Sequence, residues 1–323
     1  MKSELAIEQF EALFKYSDRV GELQCVDNIM PKSYVSEVLP FLNTPPNMKI
    51  FYEVKADLSQ EDLQTLSRAR VTSIQPGIEA LATSTLKLMK KGTTALQNIE
   101  FLKNCLGYGI DPSWNLLVGF PGEEEDVYRR YEEFLPNLVH LPPPSGVFPV
   151  RFDRYSPYFV RAAEYQLTLR PLKFYELVYP FGADSLARMA YFFTDENVFA
   201  PYALAVGTWI NRLRKPVSSW RDRWKVNGNK PPVLSFENET STIIADTRSG
   251  KLIHHDVGNA GRAVLKCLAK RRTIGEVARQ LDGQGVDIEK EVRNASERGL
   301  LFEENGRLLS LVMLSFQNGY QRK

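Results

Sequence analysis

Two segments of the sequence run from an apolar strand through a glycine-containing turn into a helix, and this unit constrains the fold more than any other feature. The segments are residues 74–79 (IQPGIE) and residues 114–123 (WNLLVGFPGE). Short apolar runs that end in Gly and Pro are typical of buried strands, and the periodic segments that follow are typical of covering helices. Two such units predict a parallel α/β sheet, in which ligands bind at the carboxyl ends of the strands.

The same alternation extends through the first 160 residues, beginning with a helix whose apolar face carries Ala6, Phe10, Leu13 and Phe14. The pattern predicts strands at 23–28, 49–55, 71–74, 114–118 and 147–152. It predicts helices near 33–42, after a capping box formed by Ser59 and Asp62, and near 79–90, 93–106 and 127–135. This order indicates right-handed parallel β/α units, and it leaves a partial barrel and an open doubly wound sheet as alternatives.

Polar residues follow the predicted strands at their carboxyl ends. They are Asp27, Asn28, Glu53, Lys55, Gln75, Glu79, Asn115, Arg151 and Asp153. Parallel strands bring these ends to one edge, where polar groups above an apolar floor form the default ligand site. Any one of these residues could equally form an ion pair or cap a helix, so the hypothesis depends on the set.

In their order and spacing, four of these motifs resemble the radical S-adenosylmethionine enzymes, and more narrowly the cobalamin-binding branch that matures ribosomally made peptides. The motifs are residues 26–28 (VDN), 52–56 (YEVKA), 74–79 and 114–123, and residues 150–159 extend the likeness. The resemblance implies a partial (β/α)6 TIM-like barrel, of which this chain lacks the first strand. It also implies a [4Fe-4S] cluster that cleaves S-adenosylmethionine and a radical that abstracts hydrogen from a peptide, with C-methylation as a candidate outcome.

The sequence departs from the family at the cluster. The family holds its cluster on a CxxxCxxC loop, whereas the three cysteines here are Cys25, Cys105 and Cys267, which are too far apart to form one. We therefore assign no metal ligand and expect ordinary packing for these thiols. Because the helix near 3–16 follows that loop in the family, we expect the sequence to begin after the loop and after the cobalamin domain. Truncation, a split enzyme whose partner chain supplies cluster and cobalamin, and a degenerate scaffold all stay open.

The resemblance also implies a set of positions that hold S-adenosylmethionine. They are Asp27, Asn28, Glu53, Lys55, Gln75, Gly77, Glu79, Asn115, Gly119 and Arg151. Gly77 and Gly119 would let the backbone approach the ligand because they have no Cβ. Asp27 would lie near the amino group and Glu79 near a ribose hydroxyl. Glu53 and Lys55 share a strand face and could contact the cofactor or pair with each other. Asn115, Arg151 and Asp153 could contact cofactor or peptide, and Tyr155 and Tyr158 could line a substrate channel.

After the barrel domain at 1–160, the rest of the chain divides into a connecting α+β region at 161–245 and a small module at 246–323. In the connecting region we expect a helix near 183–193, a second helix with Ala203, Ile210 and Leu213, and a linker at 224–232. The module combines three predicted helices with a hairpin around Asn305-Gly306, whose residues both tolerate positive φ. This winged-helix-like pattern resembles leader-peptide recognition elements, so the expected partner is a ribosomal precursor peptide. A structural cap ranks second and DNA third, because thirteen Lys or Arg against nine Asp or Glu in residues 251–323 is a small excess.

Other function classes have weaker support. The three histidines lack zinc-like spacing with cysteine, and residues 119–122 lack the lysine of a phosphate-binding loop. A barrel lyase or isomerase is the enzyme alternative, and a non-catalytic peptide-binding scaffold or split-enzyme subunit is the other. Net charge of +2 and the lack of an eighteen-residue apolar run argue against nucleic-acid and membrane partners. Three scattered cysteines and no signal peptide predict a reducing cytoplasm.

Overall fold

The computed structural model describes residues 2–26, 29–225 and 231–314. Its helices are α1 (Ser3–Phe14), α2 (Tyr34–Glu37), α3 (Gln60–Arg68), α4 (Thr83–Leu88), α5 (Ala95–Gly107), α6 (Asp126–Phe134), α7 (Pro157–Val160), α8 (Phe174–Val178), α9 (Ala183–Met189), α10 (Pro201–Lys225), α11 (Gly258–Cys267), α12 (Ile274–Gln280) and α13 (Ile288–Glu297). Its strands are β1 (Glu22–Gln24), β2 (Lys49–Val54), β3 (Val71–Pro76), β4 (Asp111–Pro112), β5 (Leu116–Val118), β6 (Val147–Pro149), β7 (Phe152–Asp153), β8 (Leu169–Pro171), β9 (Phe192–Asp195), β10 (Leu234–Phe236), β11 (Ile243–Asp246), β12 (Ile253–Asp256), β13 (Arg272–Thr273), β14 (Leu301–Glu304) and β15 (Arg307–Ser310).

The first six strands form a parallel array in chain order. Strands β1 to β4 pair as one parallel sheet, and β5 pairs in parallel with β6. A hydrogen bond of 2.8 Å from the Leu117 N–H to the Glu79 carbonyl links the two sheets. The parallel α/β prediction is confirmed, while its identity as a fragment of a (β/α)6 barrel remains an interpretation.

Alternation of side chains along the strands gives the array one packed face and one open face. In β2, Ile50, Tyr52 and Val54 are buried, whereas Glu53 is half-buried and Lys55, just after the strand, is exposed. Successive side chains of a strand point to opposite faces, so the apolar set packs beneath the helices and the polar set lies on the other side. The open face is therefore a consequence of the sequence pattern.

The helices that cover the packed face begin where their capping residues predict. Ser59 accepts a hydrogen bond from the Asp62 N–H at 3.1 Å, and the Asp62 carboxylate accepts one from the Ser59 N–H at 2.8 Å. Thr94 and Gln97 form the same reciprocal arrangement at α5. These bonds satisfy backbone donors that the first turn leaves without partners. The capping box expected at Ser59 is confirmed.

A second, smaller core is formed mainly by the residues that lie between β6 and α10 in the sequence. It packs Phe152, Leu167, Tyr175, Leu186 and Phe193 around the antiparallel sheet of β7, β9 and β8. The strand predicted at 147–152 is divided at this point, because β6 pairs with β5 while β7 pairs with β9. The segment near 183–193, predicted as one helix, ends at Met189 and continues as β9.

Helix α10 is longer than its sequence predicts. It continues through Pro216 to Lys225, although a proline removes one helical hydrogen bond and a linker was expected from 224. Three indoles anchor it: Trp209 donates to the Glu125 carboxylate at 2.8 Å, Trp220 to the Leu141 carbonyl at 2.8 Å, and Trp224 to the Val139 carbonyl at 2.9 Å. Buried aromatic packing on both sides of the proline offsets the lost bond.

The C-terminal region holds an antiparallel sheet of β10, β11 and β12, then three helices, and then the β14–β15 hairpin with β13 at its edge. Asn305 and Gly306 have φ of 53° and 70°, which confirms the predicted hairpin turn. The winged-helix-like interpretation of this region, and the domain boundaries at 160 and 245, stay predictions. Glu304 accepts a hydrogen bond from the Thr83 N–H at 3.0 Å, which ties the hairpin to the parallel array.

No helix among the described residues combines the length and the apolar character that crossing a lipid bilayer requires.

Candidate functional site

The open face of the parallel array brings several of the predicted residues together. Glu53 and Gln75 are direct cross-strand partners in the β2–β3 register. Lys55 and Gly77 follow them immediately, at the carboxyl ends of the two strands. Asn115 is exposed between buried Trp114 and buried Leu116, so alternation places it on the same face. This group combines a carboxylate, two amides and an ammonium group beside a residue without a side chain.

Glu79 closes one end of this group. Its backbone has φ of 59°, and its carboxylate pairs with the Lys91 ammonium group at 3.2 Å. A Cβ on Gly77 would lie 3.0 Å from the Lys91 Nζ and 3.7 Å from the Glu79 Oε1. The ion pair therefore lies directly over Gly77, and a ligand approaching this backbone would meet both charged groups.

The turn after β5 is occupied by a side chain of the protein itself. The Glu123 carboxylate accepts hydrogen bonds from the Gly119 N–H at 2.8 Å and from the Phe120 N–H at 3.2 Å. The Tyr128 hydroxyl donates to the same carboxylate oxygen as these two N–H groups, and Thr85 donates to the other oxygen at 2.5 Å. Since Glu123 is buried and surrounded by donors, it supplies the negative charge that such a nest of amides attracts.

Gly119 has a steric reason to be glycine. Its φ is 84°, and a Cβ there would lie 2.2 Å from the Val206 Cγ2 of α10. The Gly119 N–H is also already engaged, because it donates to the Glu123 carboxylate and, at 2.9 Å, to the Tyr128 hydroxyl. The structure thus explains Gly119 through packing and turn geometry, and its predicted contact with a cofactor remains a prediction.

The buried tyrosines around Glu123 stay protonated. Burial raises the pKa of the Tyr128 hydroxyl, and the Glu123 carboxylate raises it further. The same two causes raise the pKa of Tyr131, whose hydroxyl accepts a hydrogen bond from the Leu81 N–H at 3.1 Å. These groups act as fixed hydrogen-bonding partners that hold the turn beside the open face.

Arg151 follows β6 and pairs with a residue two positions along the chain. Its guanidinium group forms two hydrogen bonds to the Asp153 carboxylate, at 2.7 Å and 3.1 Å, and lies 4.0 Å from the centre of the Phe192 ring. The hydrogen bonds to Asp153 raise its pKa against the opposing effect of partial burial. Asp153 lies in β7 and Phe192 in β9. The ion pair that was one alternative for Arg151 and Asp153 is therefore present. The hydroxyl of Tyr158, a predicted channel residue, is buried without a hydrogen-bond partner among the described residues.

The predicted residues Asp27 and Asn28 lie outside the described residues. On their carboxyl side, the Met30 N–H donates to the Glu53 carbonyl at 2.8 Å, so the chain there is again bonded to β2. The structure therefore brings Glu53, Lys55, Gln75, Gly77 and Glu79 to one rim, with Asn115 on the same face.

The cysteines do not fit an iron–sulfur cluster. Cys25 follows β1, Cys105 is buried in α5 and Cys267 is buried at the end of α11, and all three are thiols. Burial raises the pKa of both Cys105 and Cys267, which disfavours the thiolate that binds iron. Within the ranges that the structure describes, no group of three or more His, Cys, Asp or Glu could hold a metal ion.

Two charged residues of this region were missed by the sequence reasoning. Lys91 lies twelve residues after Glu79 in a loop, so no periodicity links the two. Glu123 was quoted only as part of the 114–123 motif, although a carboxylate four residues after a glycine can reach back to the amides of a turn. That spacing was the available signal, and it resembles the reach of an N-terminal capping residue.

Comparison with known families supports part of the resemblance. Residues 10–135 match the family model described as the radical SAM superfamily, so this segment carries a radical SAM superfamily domain. The match covers β1 to β5 and α6, and it ends before β6, the second core and the C-terminal module. No curated protein matches the sequence.

Solved structures give low-identity similarities. The chain is similar to the radical S-adenosylmethionine methyltransferase TsrM from Kitasatospora setae, solved with cobalamin and a [4Fe-4S] cluster, at 17% identity and a TM-score of 0.42, covering 50% of this chain and 34% of that one. It is also similar to the cobalamin-dependent radical enzyme OxsB (16% identity, TM-score 0.35, 51% and 26% coverage). A third is HemN from Escherichia coli (12% identity, TM-score 0.32, 96% and 81% coverage). The chain spans about a third of the length of the first of these structures.

Proposed function

We propose that this chain binds S-adenosylmethionine on the open face of its parallel array, as part of a radical S-adenosylmethionine enzyme that modifies a ribosomally made peptide. C-methylation is the candidate modification. The observation that carries the proposal is the cross-strand pair of Glu53 and Gln75, which lies on an open face inside the segment that matches the radical SAM model.

The donor set on this face suits the ligand. S-adenosylmethionine carries an ammonium group, a carboxylate, ribose hydroxyls and an adenine ring, and each needs a partner of matching chemistry. The Glu53 carboxylate can accept from the ammonium group, Lys55 can donate to the carboxylate, and Gln75 can do either. A ligand that approaches the Gly77 backbone would contact the Glu79–Lys91 pair, which lies directly over it. In this arrangement the residues bind and orient the ligand.

The cluster chemistry is not assigned to this chain, because its three thiols lie on separate elements. The family's cluster would come from a segment outside this sequence or from a partner chain, which would also supply cobalamin if it is used. We expect the chain alone to be unable to cleave S-adenosylmethionine reductively. Anaerobic reconstitution that yields about four irons per isolated chain would overturn this expectation.

The peptide partner is assigned to the C-terminal module. Strand β12 is the edge of its sheet and is mostly exposed, and an open edge strand can pair with an extended peptide. A cleft of about 150 Å³ lies beside it, lined by Asp256, Gly261 and Lys290 among others, so side chains of such a peptide have a place to enter. This arrangement supports a ribosomal precursor peptide as partner.

Calorimetric titration of the full chain with S-adenosylmethionine tests the proposal. We expect binding that weakens about tenfold in E53Q, because one charge-assisted hydrogen bond is replaced by a neutral one. The matched control is E22Q, which changes an exposed glutamate at the opposite end of the same sheet. No heat at millimolar ligand would favour the second candidate, a non-catalytic peptide-binding scaffold, which the absence of a gathered thiolate set among the described residues also favours.

A further inference from the structure

A cleft of about 480 Å³ lies where the parallel array meets the C-terminal module, and we name it the junction cleft. Its first wall belongs to the end of α5 and includes Lys103 and Tyr108. The opposite wall comes from the end of α11 and the following loop and includes Lys266, Lys270 and Arg272. The last described residues, 312–314, add apolar surface. This cleft is separate from the open face that carries Glu53 and Gln75.

The charges that line the junction cleft have one sign. Lys103, Lys266, Lys270 and Arg272 contribute to it, and within the described part of the chain no Asp or Glu side chain does. Lys103 donates to the Ser310 carbonyl and Arg272 donates to the Gln280 side-chain oxygen, both of which are neutral. Lys266 and Lys270 form no ion pair or hydrogen bond with another described residue. Four cations therefore face one cavity without a carboxylate in its walls.

A neighbouring cleft differs from the junction cleft in the charges that line it. That cavity, of about 450 Å³, is lined by Asp57, Glu61 and Glu100 together with Arg271 and Arg307. Its charges are mixed, and Arg271 pairs with Glu100. The partner of Glu100 is therefore a residue of the neighbouring cleft. Lys270 lines both cavities, and its charge is one of the causes that lower the pKa of Glu61.

Lys103 is a buried cation in the wall of the junction cleft. It is 6% exposed, and burial lowers its pKa to about 8 even though the Glu100 carboxylate acts to raise it. A carboxylate entering the cleft would stabilise the charged ammonium group, so binding of an anion and protonation of Lys103 would favour each other.

The apolar side of the cleft restricts the kind of anion. Val312, Met313 and Leu314 line it, and a bare inorganic anion would leave this surface in contact with water. A volume of this size accommodates a ligand of several connected groups. A ligand in which carboxylate groups alternate with apolar groups could contact the cationic wall and the apolar surface of residues 312–314 at the same time.

We propose that the junction cleft binds an acidic, partly apolar segment of a peptide, with its carboxylates against Lys103, Lys266 and Lys270. In taking a peptide as the ligand, this assignment rests on the proposed function. The segment would lie between the module assigned to peptide recognition and the array assigned to S-adenosylmethionine, and so would hold the substrate at the joint of the two.

Fluorescence anisotropy with the full chain tests this assignment. The probe is a rhodamine-labelled ten-residue peptide of alternating Glu and Leu, and the matched probe replaces every Glu by Gln. We expect saturable binding of the acidic probe alone, weakened about tenfold in the double variant K266Q/K270Q and reduced by added salt. Both lysines are exposed, so circular dichroism should show an unchanged fold. The control is K251Q, which removes an exposed lysine of the same module away from the cleft.

Three results would overturn the assignment. The first is equal binding of both probes, and the second is an equal loss of affinity in K251Q. The third is displacement of the acidic probe by millimolar inorganic phosphate, which would mean that the leucines of the probe contribute nothing to its binding. Calorimetry with S-adenosylmethionine on the same samples separates the two proposals. Normal S-adenosylmethionine binding without acidic-probe binding removes only the cleft assignment, whereas probe binding without S-adenosylmethionine binding removes the enzyme function and leaves a peptide-binding scaffold.

Discussion

Replacing Lys103 by methionine should change the pH dependence of stability in a way that only a buried ammonium group explains. The side chain lies between α5 and the β15 segment, where its Nζ donates to the Ser310 carbonyl. Methionine has a similar length and fills the same space, but it cannot donate a hydrogen bond. The variant therefore removes both the cost of burying a charge and the benefit of one buried hydrogen bond.

The magnitude follows from the pKa. The folded value of about 8 lies below the value of 10.5 for an unperturbed lysine, so burial of the charge opposes folding at neutral pH. The unfolded chain then holds more protons than the folded chain, and stability rises as pH increases from the folded pKa towards the unfolded one. The full cost is about 3 kcal/mol, of which about 2 kcal/mol should be relieved between about pH 7 and about pH 9.5. The lost hydrogen bond costs about 1 to 3 kcal/mol at either pH.

Guanidinium chloride unfolding of wild type and K103M at these two pH values measures the effect. Near neutral pH the two free energies of unfolding should be close, because the gain and the loss oppose each other. At the higher pH the wild type should be more stable by about 2 kcal/mol relative to that starting difference. K251M provides the control for loss of one lysine charge outside a buried site. A difference between wild type and K103M that is the same at both pH values would refute the reasoning.

Two further predictions concern the turn beside the candidate site, and a third concerns a buried carboxylate of β11. E123A should lower the free energy of unfolding by about 3 kcal/mol, because it leaves buried backbone N–H groups without an acceptor, and E123Q should recover part of this loss; an unchanged denaturation midpoint in E123A would contradict it. G119A should lower the free energy of unfolding by about 3 kcal/mol, because alanine is strained at this positive φ and its Cβ overlaps Val206. In a double-mutant cycle, adding V206A should recover the part of this loss that comes from the overlap and leave the part that comes from φ. Burial alone would raise the pKa of Asp246, but hydrogen bonds from Arg248 outweigh it and lower the pKa to about 2. The ionised carboxylate should therefore contribute about 2 kcal/mol to the free energy of unfolding above about pH 4, and this contribution should be lost as pH falls through the folded pKa. The D246N variant should lack this loss of stability at low pH.

The sequence allowed the parallel array to be predicted because short apolar runs, some of which end in Gly or Pro, alternate with helical segments. Ile50, Tyr52 and Val54 alternate with Phe51 and Glu53, and this pattern alone fixes which residues face the helices. The position of Glu53 beside Gln75 followed from parallel pairing. The register of β2 against β3, which shifts between Ile50 and Phe51, could not be predicted from the sequence of either strand alone.

The parts that could not be predicted depend on contacts between distant segments. Helix α10 passes through Pro216 because Trp209 and Trp220 bond to residues about eighty positions away, and local propensity favours a break there. Strand β12 was missed because His254 and His255 interrupt its apolar pattern, although each has a partner across the sheet, His254 with Glu237 and His255 with Asp246. Interactions that a strand gains only in its sheet leave little trace in its own sequence.

The requirement for Gly119 shows the same limit at the level of one residue. A glycine after a strand suggested close approach of a ligand, whereas the structure places α10 against that position. Both explanations need a missing Cβ, so the sequence could not separate them. The distinction required the position of Val206, which lies far along the chain in a helix whose extent was itself unpredicted.

Hydrogen exchange of the full chain with and without saturating S-adenosylmethionine tests the central claim most directly, namely that the open face of the parallel array is the ligand site. We predict slower exchange in residues 77–82, which follow β3, and in residues 113–117, which lead into β5 and include its first two residues. We predict little change in α6 and in the C-terminal module. Protection confined to residues 231–314, or no protection anywhere at a ligand concentration that saturates the calorimetric signal, would contradict the account.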